Sequence, residues 1–380
     1  TTTIAAALYD ADGHLLSEAA SLNPQIAWGA DVISRIEAAM AGKAENLALS
    51  VRGGVSDLLI RLAGMASIET EEIDSIVITG NTVMLYLLTE TDTEPLSHAP
   101  FTVHRPFGEI LTAAEIGIGC LKADTEVYLP ACIAAFIGAD ITCGILSTGL
   151  CEKADSAVFA DIGTNGEMAL RANGKLTVCS TAAGPAFEGV GISMGMRGAP
   201  GAIDKVCVSD GELHCHVIGD TTAIGICGSG LVDATASLLR LEILDESGYL
   251  EDEVVTLADA VTLNQSDIRM LQLAKSAICA GMTAMFASAG MEPDDVGTAV
   301  IAGGFGKYLD LTNAEYIGLI PGGLSDRLRA AGNTSLSGAS MLLLNRDYRQ
   351  KSEKIAENAE VLELSVDPVF VEQYMMGMMF

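Results

Sequence analysis

Residues 159–170 read FADIGTNGEMAL, and their order decides how the rest of the chain is understood. An apolar run ends in Asp161, the turn Gly163-Thr164-Asn165-Gly166 follows, and Glu167 leads into a second apolar run. A strand that carries a carboxylate into a Gly-rich turn suits phosphate, because glycine permits close approach and backbone N–H groups can converge on phosphate oxygens. The carboxylate suits magnesium held against the same phosphates. Taken alone, the stretch is equally a tight β-turn with an acidic edge.

A second copy changes the balance. The chain opens with Thr1-Thr2-Thr3, an apolar strand, a turn at Asp12-Gly13 and another strand. The central copy runs from Thr164-Asn165-Gly166 through an apolar strand to a turn at Asn173-Gly174, then Lys175 to Cys179. Asp-Gly and Asn-Gly are favoured in two-residue hairpin turns because both tolerate positive φ. Two such hairpins, one near the start of each half, predict two duplicated halves facing one cleft. A solenoid would repeat at a far shorter period.

This arrangement resembles the actin, sugar-kinase and Hsp70-like ATPases, whose halves each present a D-x-G-x-T-type hairpin to the β- and γ-phosphates. The resemblance implies an α/β fold with duplicated RNase H-like lobes, expected at 1–150 and 151–380. The first hairpin here begins at its threonines, without the D-x-G that should precede them, so a longer N-terminus is expected.

Composition agrees with close-packed α/β layers: of 380 residues, 49% are hydrophobic and only 5% aromatic, with mean hydropathy +0.37. No run approaches about 18 uninterrupted apolar residues, so no membrane partner is expected. A net charge of −29 argues against nucleic acid, whose phosphates need a basic face. The nine cysteines are scattered and never spaced C-x-x-C, which disfavours disulfide frameworks and zinc and fits a reduced, cytoplasmic setting.

Asp31 is placed to cap a helix to Ala41, a second helix is expected from Val55 through Leu62, and Glu72 to Thr79 reads as a buried strand ending in Gly80-Asn81-Thr82. Within Val127 to Ile145, Pro130 suits a helix start and Asp140 is the only charge, either a capping group or a functional carboxylate. Ser180 to Ile203 is Gly-rich and loop-like, a length that is usually functional or disordered; its low charge argues against disorder. His214-Cys215-His216 carries a weak metal signal. Gly228 and Ser229 open the helix Leu231 to Leu241, where Ser229 or Asp233 can cap and exposed N–H groups can bind an anion. Ser266-Asp267 is read as the cap of the helix Ile268 to Ala289, whose Lys275 reaches either a nucleotide or solvent. Thr298 to Ile301 reads as a strand delivering Gly303-Gly304-Phe305, and a helix is expected at Ser340 to Leu344.

Longer segments narrow the resemblance. LNPQIAWGADVISRI at 22–36, ADIGTNGEMAL at 160–170, AAGPAFEGVGISMGMRGAPGAI at 182–203, GICGSGLVDA at 225–234, IAGGFGKYLD at 301–310 and IGLIPGG at 317–323 look like the reductive activators of corrinoid proteins. That family couples ATP hydrolysis to delivery of one electron to the cobalt of a corrinoid methyl carrier, from Co(II) to Co(I). The resemblance implies ATP and Mg²⁺ as cofactors and the Co(II) corrinoid protein as partner, and leaves room for a homodimer. Family members carry an N-terminal [2Fe–2S] domain, which needs C-x₄-C-x₂-C-like spacing. None of the nine cysteines provides it, so such a domain is expected upstream. Carried onto this chain, Thr1, Thr2, Thr3 and Gly163, Thr164, Asn165, Gly166 bind phosphates. Asp161, Asp140 and Glu167 place magnesium and the attacking water, with Asp161 and Asp140 as metal ligands. Gly303, Gly304 and Phe305, with Lys275 and Ser335, hold adenosine. A small-molecule kinase of the same fold and a nucleotide-gated docking module with little hydrolysis are the alternatives.

Overall fold

The computed structural model describes residues 1–153 and 155–380, the side chain of Lys307 excepted. These residues form two units, Thr1–Cys151 with Thr334–Ala359, and Glu152–Asn333 with Glu360–Phe380. The segment Thr334–Ala359, late in the sequence, groups with the first unit.

In the first unit, strands Thr3–Tyr9 and Leu15–Leu22 form an antiparallel hairpin in which Thr3 faces Leu22. Asp10 closes its turn, accepting N–H bonds from Asp12 and His14, while Gly13 takes a φ of +86°. Helix Val32–Ala38 starts at Asp31, which accepts from Ser34 N in a capping box. The next helix spans Ala44–Ala66, well beyond the expected Val55–Leu62. Gly53-Gly54 hides its length from a propensity reading. A Cβ on Gly54 would stand 2.9 Å from Pro24 Cδ, so the glycine is there for packing. Leu58 and Leu62 of this helix bury against Ala19 of the hairpin. A separate three-stranded sheet pairs Ser75–Val77 in parallel and Glu109–Thr112 in antiparallel fashion with Glu126–Leu129.

Pro130 does not start a helix. Residues 130–138 are irregular apart from an Ala134–Ile137 bridge, and the helix is Ala139–Thr148 with Gly138 as its N-cap. Small residues let this helix meet helix Thr334–Leu344. A Cβ on Gly338 would lie 2.3 Å from the Cys143 carbonyl oxygen, which explains why the late segment belongs to the first unit.

The second unit is built on a six-stranded sheet. Its order is Leu328–Gly332, Thr298–Ala302, Ala157–Ile162, Gly166–Ala172, Lys175–Thr181 and Ala359–Val361. The first three strands are mutually parallel; Gly166–Ala172 and Lys175–Thr181 continue the sheet antiparallel. Asn173 and Gly174 take φ values of 52° and 82°, as an Asn-Gly hairpin turn requires. Helix Gln265–Ser288 is long and apolar enough to cross a membrane by length and composition, but 72% of its apolar window is buried within the protein. Leu271, Ala274 and Ile278 form its core stripe. Its N-cap is Asn264, with Asp267 completing the capping box, so the helix starts earlier than Ile268.

Candidate nucleotide site

Strand register brings Asp161, Glu167, the 163–166 turn and the Gly303 loop to one end of the second unit's sheet. Asp161 pairs with Glu167 across the hairpin and Ile162 with Gly166, leaving Gly163-Thr164-Asn165 as the turn. Ala302 pairs in parallel with Asp161, so Gly303 emerges beside that turn. The N–H of Gly303 bonds the Gly332 carbonyl at 3.0 Å. Thr181, opposite Gly166, ends its strand at the same end of the sheet and sends the chain into residues 182–188. The carboxyl ends of parallel strands in open α/β sheets are where ligands bind.

The polar groups at this end interlock. Thr164 Oγ1 donates to Glu188 Oε1 at 2.7 Å, and Asn165 Nδ2 lies 3.3 Å from Glu167 Oε1. Gly163 N–H bonds the Asn165 carbonyl at 3.0 Å. Gly303 has a φ of +93°, and a Cβ there would stand 2.8 Å from Ile162 O and 2.9 Å from Asp161 Oδ1. Only glycine lets the Gly-Gly loop lie this close to the acid. Asp161 and Glu167 supply hard carboxylate oxygens, the donors magnesium takes together with water and phosphate. Behind Glu167, burial pushes the Cys179 thiol far up, with the Glu167 charge adding to the shift.

Several expected residues also have structural roles. Gly166 is a packing glycine, since a Cβ would collide with Ile278 Cδ1 at 2.2 Å. Gly228 is a spacer: its Cβ position lies 2.2 Å from the Phe187 carbonyl oxygen and 2.9 Å from Phe305 Cδ2. It allows the Phe187 and Phe305 rings to stack, with centroids 4.7 Å apart, so the Phe305 ring is held against Phe187. Helix Gly228–Arg240 is N-capped by Cys227 without a side-chain bond. Ser229 and Asp233, expected as caps, are buried: Ser229 Oγ donates to Asp204 O at 3.0 Å, and Asp233 Oδ1 accepts from Asn313 Nδ2 at 2.7 Å.

Lys275 is corrected from adenosine ligand to anchor. It is 1% exposed, and its Nζ donates to the carbonyls of Gly377 and Met379 and lies over the Phe380 ring. Burial lowers its ammonium to about 8, with Cys279 acting in the opposite direction. The folded chain thus holds this proton less tightly than the unfolded chain, whose lysine keeps its ordinary pKa of 10.5. The penalty is full below pH 8 and is relieved as pH rises to about 10.5. Denaturant unfolding of wild type and Lys275→Met at both ends of that window tests this. The difference in unfolding free energy moves in wild type's favour by about 3 kcal/mol on going alkaline. An unchanged difference would mean that the ammonium stays hydrated.

Four expected residues and Asp140 lie in the first unit. Thr1 O accepts from Asn23 Nδ2 at 2.8 Å and from Arg35 at 3.0 Å, and Thr2 O accepts from Asn23 N at 2.9 Å. Thr3 pairs with Leu22. Ser335 sits in the first turn of helix Thr334–Leu344. Asp140 is in the first turn of its helix, where negative charge is favoured. Its N–H bonds Gly80 O at 3.3 Å, and a Cβ on Gly138 would collide with the Gly80-Asn81-Thr82 turn at 2.5 Å. Burial pushes the Asp140 carboxyl up, opposed by the Ile141 N–H at 3.0 Å from Oδ1. Asn81 N-caps helix Thr82–Leu88 through Oδ1, and its buried Nδ2 has no partner among the described residues. The role of Glu188 was missed in the sequence; its signal was being the sole acid between Ser180 and Ile203.

A hairpin that carries an acid into a Gly-rich turn, beside a Gly-Gly loop on the neighbouring parallel strand, defines a domain of the actin, sugar-kinase and Hsp70-like class. Residues 155–380 match the C-terminal ASKHA domain of RACo, and residues 1–153 match the RACo middle region. The chain belongs to this family, the reductive activators of corrinoid proteins. It is 34% identical to the corrinoid activation enzyme RamQ of Eubacterium limosum, with all of this chain and 69% of RamQ covered. It is 27% identical to a [Co(II) methylated amine-specific corrinoid protein] reductase of Methanosarcina barkeri, covering 81% of this chain and 63% of the reductase. A solved reductive activator for corrinoid, iron–sulfur protein superposes on the whole chain with TM-score 0.91 and 35% identity. The chain spans 64% of that activator's length.

Proposed function

We propose that this chain is the ATP-hydrolysing and partner-docking part of an activator that returns a Co(II) corrinoid methyl-carrier protein to Co(I). Two things support the reading together: membership of a family whose relatives are corrinoid activators and reductases, and the Asp161 carboxylate at the sheet end beside the Gly303 loop. The turn Gly163-Thr164-Asn165 binds phosphate, Asp161 and Glu167 hold magnesium, and Gly303-Gly304 lie along adenosine. Bound magnesium neutralises phosphate charge. Hydrolysis then depends mostly on positioning and charge stabilisation, as in other phosphoryl transfers. ATP and water give ADP and phosphate, while one electron from an external donor converts Co(II) to Co(I) on the partner.

The test is the ATPase rate of this chain with and without a Co(II) corrinoid methyl carrier. The expected result is stimulation by the Co(II) form. Transfer of phosphate to a small acid or sugar, with no response to the carrier, would replace this reading with a kinase. Tight ATP binding with neither response would make the chain a docking module.

A further inference from the structure

Glu188 closes the short turn Pro185–Glu188 and accepts the Thr164 hydroxyl at 2.7 Å. The same oxygen, Oε1, lies 3.7 Å from the position a Cβ would take on Gly163. A threonine hydroxyl has one proton to donate. A phosphate seated on the 163–165 turn would therefore compete with Glu188 for it, and would sit within a few ångströms of a second anion.

The backbone beneath Glu188 has little room to retreat. Phe187 is 3% exposed and stacked on Phe305, and its carbonyl rests against Gly228. Gly189 follows with a φ of +81°, its N–H bonded to Ala186 O at 3.0 Å. A Cβ on Gly189 would stand 2.6 Å from Met196 N, so the next segment packs directly on this turn. Glu188 and a polyphosphate on this turn lie at close range, and a divalent cation between them offsets the repulsion of like charges in a partly desolvated site.

We propose that Glu188 makes nucleotide binding at this turn conditional on a divalent cation: its carboxylate repels metal-free polyphosphate and joins Asp161 in accommodating the magnesium form. This rests on the proposed nucleotide site and adds a residue that sets which form of the nucleotide is accepted. Glu188 is a specificity residue, distinct from the acids assigned to hydrolysis.

Calorimetric titration of the full chain with ATP in magnesium and with ATP in EDTA tests it. Wild type is expected to bind the magnesium form at least about tenfold tighter. Glu188→Gln keeps an acceptor for Thr164 and removes the charge. It is expected to cut that preference about fivefold to tenfold, mainly by tightening metal-free ATP. Glu188→Ala serves as a second variant and shifts the ratio in the same direction. An unchanged ratio in both variants overturns the proposal, with the nucleotide site left standing. Equal weakening of both ATP forms together with a lower melting temperature also overturns it, because Glu188 would then only brace the turn. Wild-type chain that binds neither form overturns the nucleotide site itself, and this inference with it.

Discussion

Asp161→Ala is expected to lower ATP hydrolysis by about 10²–10³-fold while nucleotide affinity falls less, the pattern for a group that stabilises charge at the reacting phosphate. Asp161 stands where two loops meet. It pairs with Glu167 in the hairpin and with Ala302 on the parallel strand, and its Oδ1 faces the Gly303 position at 2.9 Å. Asp161→Asn keeps the size and removes the charge, so it separates loss of the carboxylate from loss of packing. Steady-state phosphate release, compared with ATP affinity from the same preparation, gives the split. Turnover within about twofold of wild type in both variants would remove Asp161 from the reaction.

Gly304→Val is expected to weaken ATP binding by about tenfold to a hundredfold with the fold intact. A Cβ at Gly304 meets nothing within 4 Å, so the added side chain occupies open space beside the loop and falls on whatever lies against it. Its neighbour behaves differently. Gly303 has positive φ and a Cβ there would strike Ile162 O at 2.8 Å, so Gly303→Val disturbs the strand end itself and lowers the melting temperature. The two glycines therefore separate ligand contact from structural need. Wild-type ATP affinity in a folded Gly304→Val protein would take adenosine away from this loop.

The hairpin around Asp161 was legible because its signals are local: a carboxylate at a strand end, a Gly-rich turn, and Asn173-Gly174 with the dihedrals that pair prefers. Asp31 could be read as a cap for the same reason, since a capping box lies within four consecutive residues. Other positions depended on contacts far along the chain. Lys275 looks like any basic residue on an apolar helix until the carbonyls of Gly377 and Met379 are brought to its Nζ. Gly166 reads as a phosphate glycine, and the sequence hides that a Cβ there would also meet Ile278 Cδ1. Gly228 suggests an anion site at a helix start, whereas two aromatic loops require it to be small. Glu188 was visible as a solitary acid, and its partner Thr164 emerged only when the strand after Lys175 returned the chain to the hairpin's end. Glycines were thus the least decipherable residues, because a turn, a ligand and a tight contact all select them.

The grouping of Thr334–Ala359 with Thr1–Cys151 has a consequence for the order in which the chain is made. On the ribosome, helix Ala139–Thr148 emerges well before the helix that covers it, separated by the whole Glu152–Asn333 stretch. At about 5–20 residues per second, the Cys143 face waits roughly ten seconds or more for Gly338 to arrive. Meanwhile the second unit acquires most of its sheet, leaving only the edge strand Ala359–Val361 to be added. The nascent first half therefore carries helix Ala139–Thr148 without its later partner helix during elongation. A translational pause before residue 334 would lengthen that interval, whereas one after residue 359 would fall when both units have received their last interior pieces, apart from the Glu360–Phe380 tail.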